Sequence, residues 1–457
     1  MSGQILTMEK VVGRMERLPF SGIQKKVFGI AAAGYLFDAF DITLLSFVMP
    51  SLSADLNLTG VEIGLLFSFT FLGMMIGSGL GGAMADYFGR LKVFKISLLL
   101  FAVGTAATAF VSTFEMLCVM RFITGLGLGG EQPVVFTYVS EMMPSHLRGR
   151  LNGITQSMWG LGTLLAAGIS LALVPTWGWR AAFLSGVLPA ILVWFMRRDI
   201  PESPRWFMMK GDKKRAEEEL AWLEKRVEES IGRPLPEPQP VEKIAVSASN
   251  NKYGMLFSSQ YIKRTIMLLI AWFCWLFGMW GLNAWMPTLL KQSGYSMVAS
   301  IGYVLIMNLV WIPSGMFASY LSDKIGRKWP MVIAFLLVAI HTVIYGWALV
   351  SHMPLSVMLG CGISVIIFTA GASCFLYVYT PENYPTEIRG TGSGIANSSG
   401  RIGGMLAPVA VGYLYPIIGL TKTLGVVALA LVIGAAAIAL LGKETRGESL
   451  EKVSQSG

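Results

Sequence analysis

Charge is what this chain has least of: Asp, Glu, Lys and Arg make up 14% of its 457 residues, against roughly 25% in soluble domains. Histidine is scarcer still. His146, His341 and His352 stand singly, so no histidine cluster is available for a metal. Neither an activated nucleophile nor a nucleotide-binding loop can be read in the sequence, which argues against a membrane enzyme and leaves no cofactor to expect. The four cysteines, Cys118, Cys274, Cys361 and Cys374, fall inside apolar runs. Their spacing builds neither a disulfide framework nor a metal site, and they read as small buried apolar residues.

What fills the chain instead is apolar surface. Hydrophobic residues make up 54% of it and the mean hydropathy is +0.60, more than one soluble core can hide. Apolar stretches of about 20 residues are long enough to cross a bilayer as helices. Twelve such stretches begin near Val27, Val61, Val93, Glu115, Leu151, Ala181, Thr265, Ala299, Pro330, Pro354, Thr391 and Thr421. The expected fold is all-α and integral to the membrane, with twelve transmembrane helices in two pseudo-symmetric six-helix bundles.

The net charge of +9 could suggest nucleic acid, but its placement points to a membrane. Lys25-Lys26, Arg90/Lys92/Lys95, His146/Arg148/Arg150, the stretch Arg197 to Arg264, Lys324/Arg327/Lys328 and Arg389 fall on alternate loops, while the intervening loops carry Asp55, Glu62 and Glu115. This positive-inside pattern puts both termini in the cytoplasm of a multi-pass protein of the cell (plasma or inner) membrane. Residues 1–26 read as a polar, basic cytoplasmic arm with no cleavable signal peptide. The N-terminal bundle is expected over 27–196 and a cytoplasmic linker over 197–262. That linker contains short amphipathic helices, with Leu220, Leu223 and Val227 at helical spacing, and then a proline-rich run. The C-terminal bundle is expected over 263–442 and a cytoplasmic tail over 443–457. Glycines at every fourth position, Gly73, Gly77 and Gly81, then Gly125 and Gly129, read as close helix packing through small faces.

The halves repeat each other. Asp86-Tyr-Phe-Gly89-Arg90 returns as Asp323-Lys-Ile-Gly326-Arg327, 237 positions later; Glu141 to Arg148 returns as Glu382 to Arg389, 241 later; Glu202 returns as Glu444, 242 later. Near-constant offsets in one orientation are the mark of a duplicated half. In each turn the glycine permits a tight reversal and frees the arginine to reach a carboxylate or a helix C-terminus. Glu141, Glu382, Glu202 and Glu444 are the candidate partners. With Arg148, Arg205 and Arg389 they would form a cytoplasmic gate that holds that side closed until the halves part. The plainer alternative is a set of charges that only fixes topology.

The duplicated turn, Pro201-Glu202-Ser203-Pro204-Arg205-Trp206 and the tail beginning Glu444-Thr445-Arg446-Gly447-Glu448 together resemble the major facilitator superfamily. Within it the chain is similar to the sugar-porter branch and its niacin, aromatic-acid and organic-ion relatives. The resemblance spans nearly the whole chain. It implies secondary transport by alternating access, and it implies a monomer that meets membrane lipid and no nucleic acid.

Charge inside a bilayer is costly and functional by default. Asp38 and Asp41 lie three apart on one helix, and Arg121 opens Arg-x-x-x-Gly-x-Gly-x-Gly on the fourth span. Counting about 1.5 Å per residue puts Asp41 and Arg121 at similar depth. Their arrangement is similar to the proton-coupling pair of sugar–proton symporters, and Asp38-x-x-Asp41 resembles the first-span motif of aromatic-acid symporters. A carboxylate alternating between an arginine and a proton suits coupling; a static ion pair is the alternative. Glu131 and Arg401 also fall near mid-membrane, and Asp38 and Glu131 join Asp41 and Arg121 as candidate proton-coupling residues. Arg401 offers a two-pronged fork for a carboxylate and resembles an arginine of organic-anion carriers; it could instead neutralise Asp38, Asp41 or Glu131.

The sugar-porter likeness breaks at the expected sugar site. Gln156 and Gly281-Leu282-Asn283-Ala284 are kept, but the polar residues that would precede them are replaced by Phe277-Gly278-Met279-Trp280. Tyr35, Phe37, Trp159, Trp280, Trp285, Tyr377 and Tyr379 could supply flat aromatic faces. With Arg401 and Asn397 they point to a proton-coupled symporter of a small organic anion, an aromatic or heteroaromatic carboxylate such as nicotinate. A sugar or organic-cation carrier, and a non-transporting receptor on the same scaffold, remain the alternatives.

Overall fold

A computed structural model of the protein describes residues 6–188, 191, 200–238, 252–385 and 388–445; the side chains of 145–150, 152, 153, 252, 253 and 323 lie outside the description. The first half begins with α1 (Met8–Glu16) and continues through α2 (Gly22–Asp55), α3 (Gly60–Phe88), α4 (Arg90–Thr108), α5 (Phe114–Met142) and α6 (Ser145–Leu184). Between the halves lie α7 (Pro204–Met209), α8 (Lys213–Ile231) and α9 (Lys252–Leu256). The second half comprises α10 (Ile262–Asn283), α11 (Met286–Gln292), α12 (Met297–Asn308), α13 (Trp311–Ile325), α14 (Lys328–Val350), α15 (Leu355–Glu382), α16 (Arg389–Ile418) and α17 (Leu420–Leu441).

Ten candidate spans among the described residues are long and apolar enough to cross a membrane, two of them formed by helix pairs, α10 with α11 and α12 with α13. Helix α5 is long enough but falls outside that set; Arg121 and Glu131 sit in its middle. Helix α6 is broken at Gly178, where φ is 77°. The fifth span ends there and the sixth begins.

Local signals explain where the helices start. Thr59 and Glu62 form a reciprocal capping box at α3, and Ser21 and Gln24 do the same at α2, so otherwise orphaned N–H groups at the helix start are satisfied. The glycine stripes set the packing. A Cβ on Gly73, Gly77 or Gly81 would collide with the backbone of α5, and one on Gly125 or Gly129 with the backbone of α3. These two helices approach along their backbones, as small-residue faces allow.

Helix pairing repeats with the sequence. Helix α2 packs on α6 as α10 packs on α16, and α3 packs on α5 as α13 packs on α15. Across the halves, α3 runs along α16, α12 meets α6 and α11 meets α2. The arm expected at residues 1–26 forms a docked helix: Val11 and Met15 of α1 are buried. Arg14 pairs with Glu217 at 2.7 Å and Glu224 at 2.6 Å, and Arg17 with Glu224 at 2.6 Å. Helix α8 buries Leu220, Leu223 and Val227, so its apolar stripe is used within the protein.

Candidate functional site

At one end of the molecule the two charged turns share a helix-end carbonyl contact, a carboxylate on a later helix and a capping glutamate. Gly89 (φ 105°) and Gly326 (φ 102°) occupy backbone that side chains rarely adopt. Arg90 donates to the carbonyl of Ala85 at 2.8 Å and pairs with Asp86 at 2.9 Å and Glu141 at 3.1 Å. Arg327 donates to the carbonyl of Ser322 at 3.0 Å and lies 3.3 Å from Glu382. Each arginine therefore reaches both the C-terminal carbonyls of one helix and a carboxylate on a later one.

Glu202 does something different. Its carboxylate accepts the backbone N–H groups of Arg90 at 3.1 Å, Leu91 at 3.0 Å and Ser203 at 3.0 Å. Glu444 repeats this with the N–H groups of Arg327 at 2.8 Å, Lys328 at 3.1 Å and Thr445 at 3.1 Å. Each glutamate caps the start of the helix after the turn, where unpaired N–H groups and the helix dipole favour an anion. Burial raises the Glu202 carboxyl above its ordinary range, outweighing those three donors.

The gate needs a correction in one respect. Among the described residues each charged cluster ties helices within its own half, and neither bridges the two. A motif copied with each half makes its contacts inside that copy. Arg205 pairs with Glu16 of α1 at 3.3 Å, and Arg389 donates to the carbonyl of Tyr384 at 3.3 Å. The side chains of Arg148 and Asp323 lie outside the described residues.

Between the halves lies a cavity of about 840 Å³. Tyr35 and Met74 from the first half, Gln132 on α5, and Gln156 and Trp159 on α6 face Trp275 and Trp280 on α10, Trp311 on α13, Tyr377 on α15 and Asn397 and Arg401 on α16. Tyr35 donates to Gln156 Oε1 at 2.9 Å, which turns the glutamine amide nitrogen to other partners. Trp159 and Trp280 meet edge to face with centroids 6.5 Å apart. Ring faces, one guanidinium and a few amides make an apolar pocket with convergent polar points, the usual form of a small-molecule site.

Arg401 is 7% exposed and reaches across to the other half. It donates to the carbonyl of Met74 at 2.6 Å and to Gln132 Oε1 at 2.7 Å. Among the described residues it makes no ion pair, so the alternative in which it neutralises Asp38, Asp41 or Glu131 by direct pairing is not what the geometry shows.

Several expected residues lie elsewhere. Phe37 stacks edge to face with Phe40, Trp285 donates to the carbonyl of Pro408 at 3.2 Å, and Tyr379 donates to the carbonyl of Lys443 at 2.7 Å; none of these lines the cavity. Asn283 lines a smaller chamber with Ser46, Thr163 and Asn308, on the far side of the Trp159–Trp280 pair. Gln132, Trp275 and Trp311 are cavity residues that the sequence reading missed.

The buried charges divide into two groups. Arg121 pairs with Asp41 at 3.2 Å and also donates to Thr105, Thr108 and Thr124 at 3.3, 3.1 and 3.1 Å. Thr105 in turn donates to Asp41. The Phe183 ring lies 5.0 Å from the guanidinium. This cage gives each charge an opposite charge and hydroxyl partners, as burial requires, leaving only Arg121 Nε without an acceptor among the described residues, and neither residue lines the cavity. Asp38 and Glu131 are also fully buried but stand apart from that cage.

At the end opposite the charged turns the halves touch closely. A Cβ on Gly64 would lie 2.5 Å from Val409 Cα, and one on Gly60 would lie 2.7 Å from the Gly412 carbonyl. Lys291 donates to the carbonyl of Pro50 at 2.9 Å.

Paired helical halves around a central cavity define a carrier scaffold of the membrane. The chain belongs to the Major Facilitator Superfamily, whose model matches residues 31–408. It is 37% identical over 445 residues to the niacin transporter NiaP of Acinetobacter baylyi (strain ATCC 33305 / BD413 / ADP1), covering 97% of this chain and 99% of that protein. It is 30% identical over 376 residues to the 4-hydroxybenzoate transporter PcaK of the same strain, covering 80% and 79%. Among solved structures it is similar to the xylose transporter XylE from E. coli in a partially occluded inward open conformation, with TM-score 0.75, 21% identity, and 93% and 99% coverage. At that identity the likeness speaks for the fold, and the fold is the twelve-helix one expected.

Proposed function

We propose that this chain is a proton-coupled symporter that imports a small aromatic or heteroaromatic carboxylate such as nicotinate by alternating access. The observation that carries the reading is Arg401. It is a guanidinium on the cavity wall whose described partners, a carbonyl and an amide oxygen, are neutral. A carboxylate would replace both with a charge-matched, two-pronged contact. Trp159, Trp275, Trp280 and Tyr377 would hold the ring, and Gln156 and Asn397 its heteroatom. The Asp41–Arg121 pair would couple protonation to the movement of the halves. Two relatives whose names include niacin and 4-hydroxybenzoate, both flat-ring acids, support this substrate class.

The test is counterflow of labelled nicotinate in proteoliposomes, with nicotinamide, xylose and choline as competitors, followed by uptake under an imposed pH gradient. Exchange competed by carboxylates but not by nicotinamide, and accumulation driven by an acidic exterior, are the expected results. Binding without counterflow would favour a receptor; competition by choline or xylose alone would favour the cation or sugar carrier.

A further inference from the structure

Asp38 on α2 and Glu131 on α5 are both fully buried, and none of their four carboxyl oxygens has a hydrogen-bond donor as partner. Glu131 Oε1 packs against Gly34, one turn before Asp38 on the same face of α2, and the two carboxyls act directly on each other. Among the described residues no cation lies within ion-pairing distance of either. The groups that act on Asp38 from farther off are Asp41 and Tyr35 on its own helix and Arg401 on α16. Phe94 of α4 closes over the same spot, since a Cβ on Gly34 would meet both its ring and Glu131 Oε1. Two carboxylates in such surroundings cannot both be ionised: each would lack a donor and repel the other. A single proton removes both difficulties, because the O–H of one acid donates to an oxygen of the other.

We propose that Asp38 and Glu131 form a carboxylic dyad that holds one proton, a protonation site separate from the Asp41–Arg121 pair. The dyad is placed to sense the substrate. Gln132, the next residue of α5, turns to the cavity and holds Arg401. Pro133 follows it and cannot donate a backbone hydrogen bond, which loosens α5 at that turn. On the reading of Arg401 as an anion clamp, on which this step rests, an arriving carboxylate neutralises the cation nearest the dyad. The remaining negative charge of the dyad then draws a second proton from solvent, so that each anion bound brings a proton with it.

Infrared difference spectroscopy of the substrate-free transporter in detergent tests the dyad itself. Wild type minus Asp38→Asn and wild type minus Glu131→Gln should each show loss of one protonated-carboxyl band, and the double variant should lose no more. In each single variant the new amide donates to the remaining carboxylate and fills the same space. Asp41→Asn should leave the band in place. A band untouched by both single substitutions, or halved by each and removed only by the double, overturns the dyad. No substrate enters this measurement, so it is independent of whether nicotinate is the cargo. A pH-indicator dye then tests the link: nicotinate binding should take up a proton in wild type and not in the Asp38→Asn/Glu131→Gln double variant, and equal uptake in both overturns it.

Discussion

Replacing Arg401 tests the binding reading most directly. On the cavity wall the guanidinium already holds two good acceptors, Met74 O at 2.6 Å and Gln132 Oε1 at 2.7 Å. A carboxylate therefore gains only the difference between a charge-matched pair and two bonds to neutral oxygens. Hydrogen bonds that involve a charged group contribute about 1.5 to 3 kcal/mol each, and we place the bonds to neutral oxygens at the lower end and those to a carboxylate at the upper. The two-bond exchange is then worth about 3 kcal/mol, and Arg401→Ala should weaken nicotinate roughly 150-fold. Lysine keeps the charge but loses the fork, so Arg401→Lys should recover little of that. Nicotinamide, which has no charge to match, should lose far less affinity in either variant. Titration calorimetry on the purified transporter reads all four values. Wild-type affinity for nicotinate in Arg401→Ala would refute the clamp and leave Arg401 as a tie between the halves.

Asp41→Asn removes a titrating group while keeping its volume, so counterflow should persist and accumulation driven by a pH gradient should stop; undiminished accumulation would move the coupling role wholly to Asp38 and Glu131. Gly64→Trp places a large ring where a Cβ alone would lie 2.5 Å from Val409 Cα, so the end opposite the charged turns should stay open. Binding should survive, transport should fail, and a cysteine at position 68, facing α16, should label faster with maleimide. At the docked first helix, burial alone would raise the Glu224 carboxyl, but the hydrogen bonds and charges of Arg14 and Arg17 hold it below its ordinary 4.5. A carboxyl depressed in this way stabilises the docked state at pH above that ordinary value, and the contribution is lost as pH falls through the lowered one. Glu224→Gln at neutral pH, like acidification of the wild type, should therefore speed hydrogen exchange in Met8–Glu16.

The spans and the duplicated turns were legible because they rest on composition and chain order. Apolar runs of bilayer length, alternate basic loops and equal offsets need no knowledge of packing. The Arg90–Glu141 and Arg327–Glu382 contacts were legible for a related reason, since a free arginine beside a helix end has few carboxylates within reach. The role of Glu202 was not, because its partners are backbone N–H groups, which every residue but proline carries. Helical facing accounts for the misplaced aromatics. Phe37 lies two residues from Tyr35 and so about 200° around the helix, away from the cavity. Gln132 lies about 100° around the helix from Glu131, and an uncharged amide beside a buried acid carries no signal of its own in the sequence. Trp285 follows the end of α10, where helical counting from Trp280 no longer holds.

What the two halves keep to themselves and what they share then accounts for how such a molecule can rock. Within each half, contacts are numerous and costly to break: interlocked glycine backbones between α3 and α5, the caged Arg121, and the charged turns with their capping glutamates. Between the halves the described polar contacts include isolated bonds to neutral acceptors. Ser68 donates to the carbonyl of Met405 at 2.6 Å, Lys291 to that of Pro50, and Arg401 to Met74 and Gln132. Serine, lysine and arginine side chains can exchange such acceptors for water or substrate at small net cost, since a hydrogen bond exchanged for another contributes only about 1 kcal/mol. The glycine contacts near Gly60 and Gly64 part without disturbing a side-chain network. Stiff halves joined by exchangeable contacts move as two bodies about the cavity. On the proposed clamp role, Arg401 is the contact that a substrate carboxylate would replace, so that binding would also release one inter-half tie.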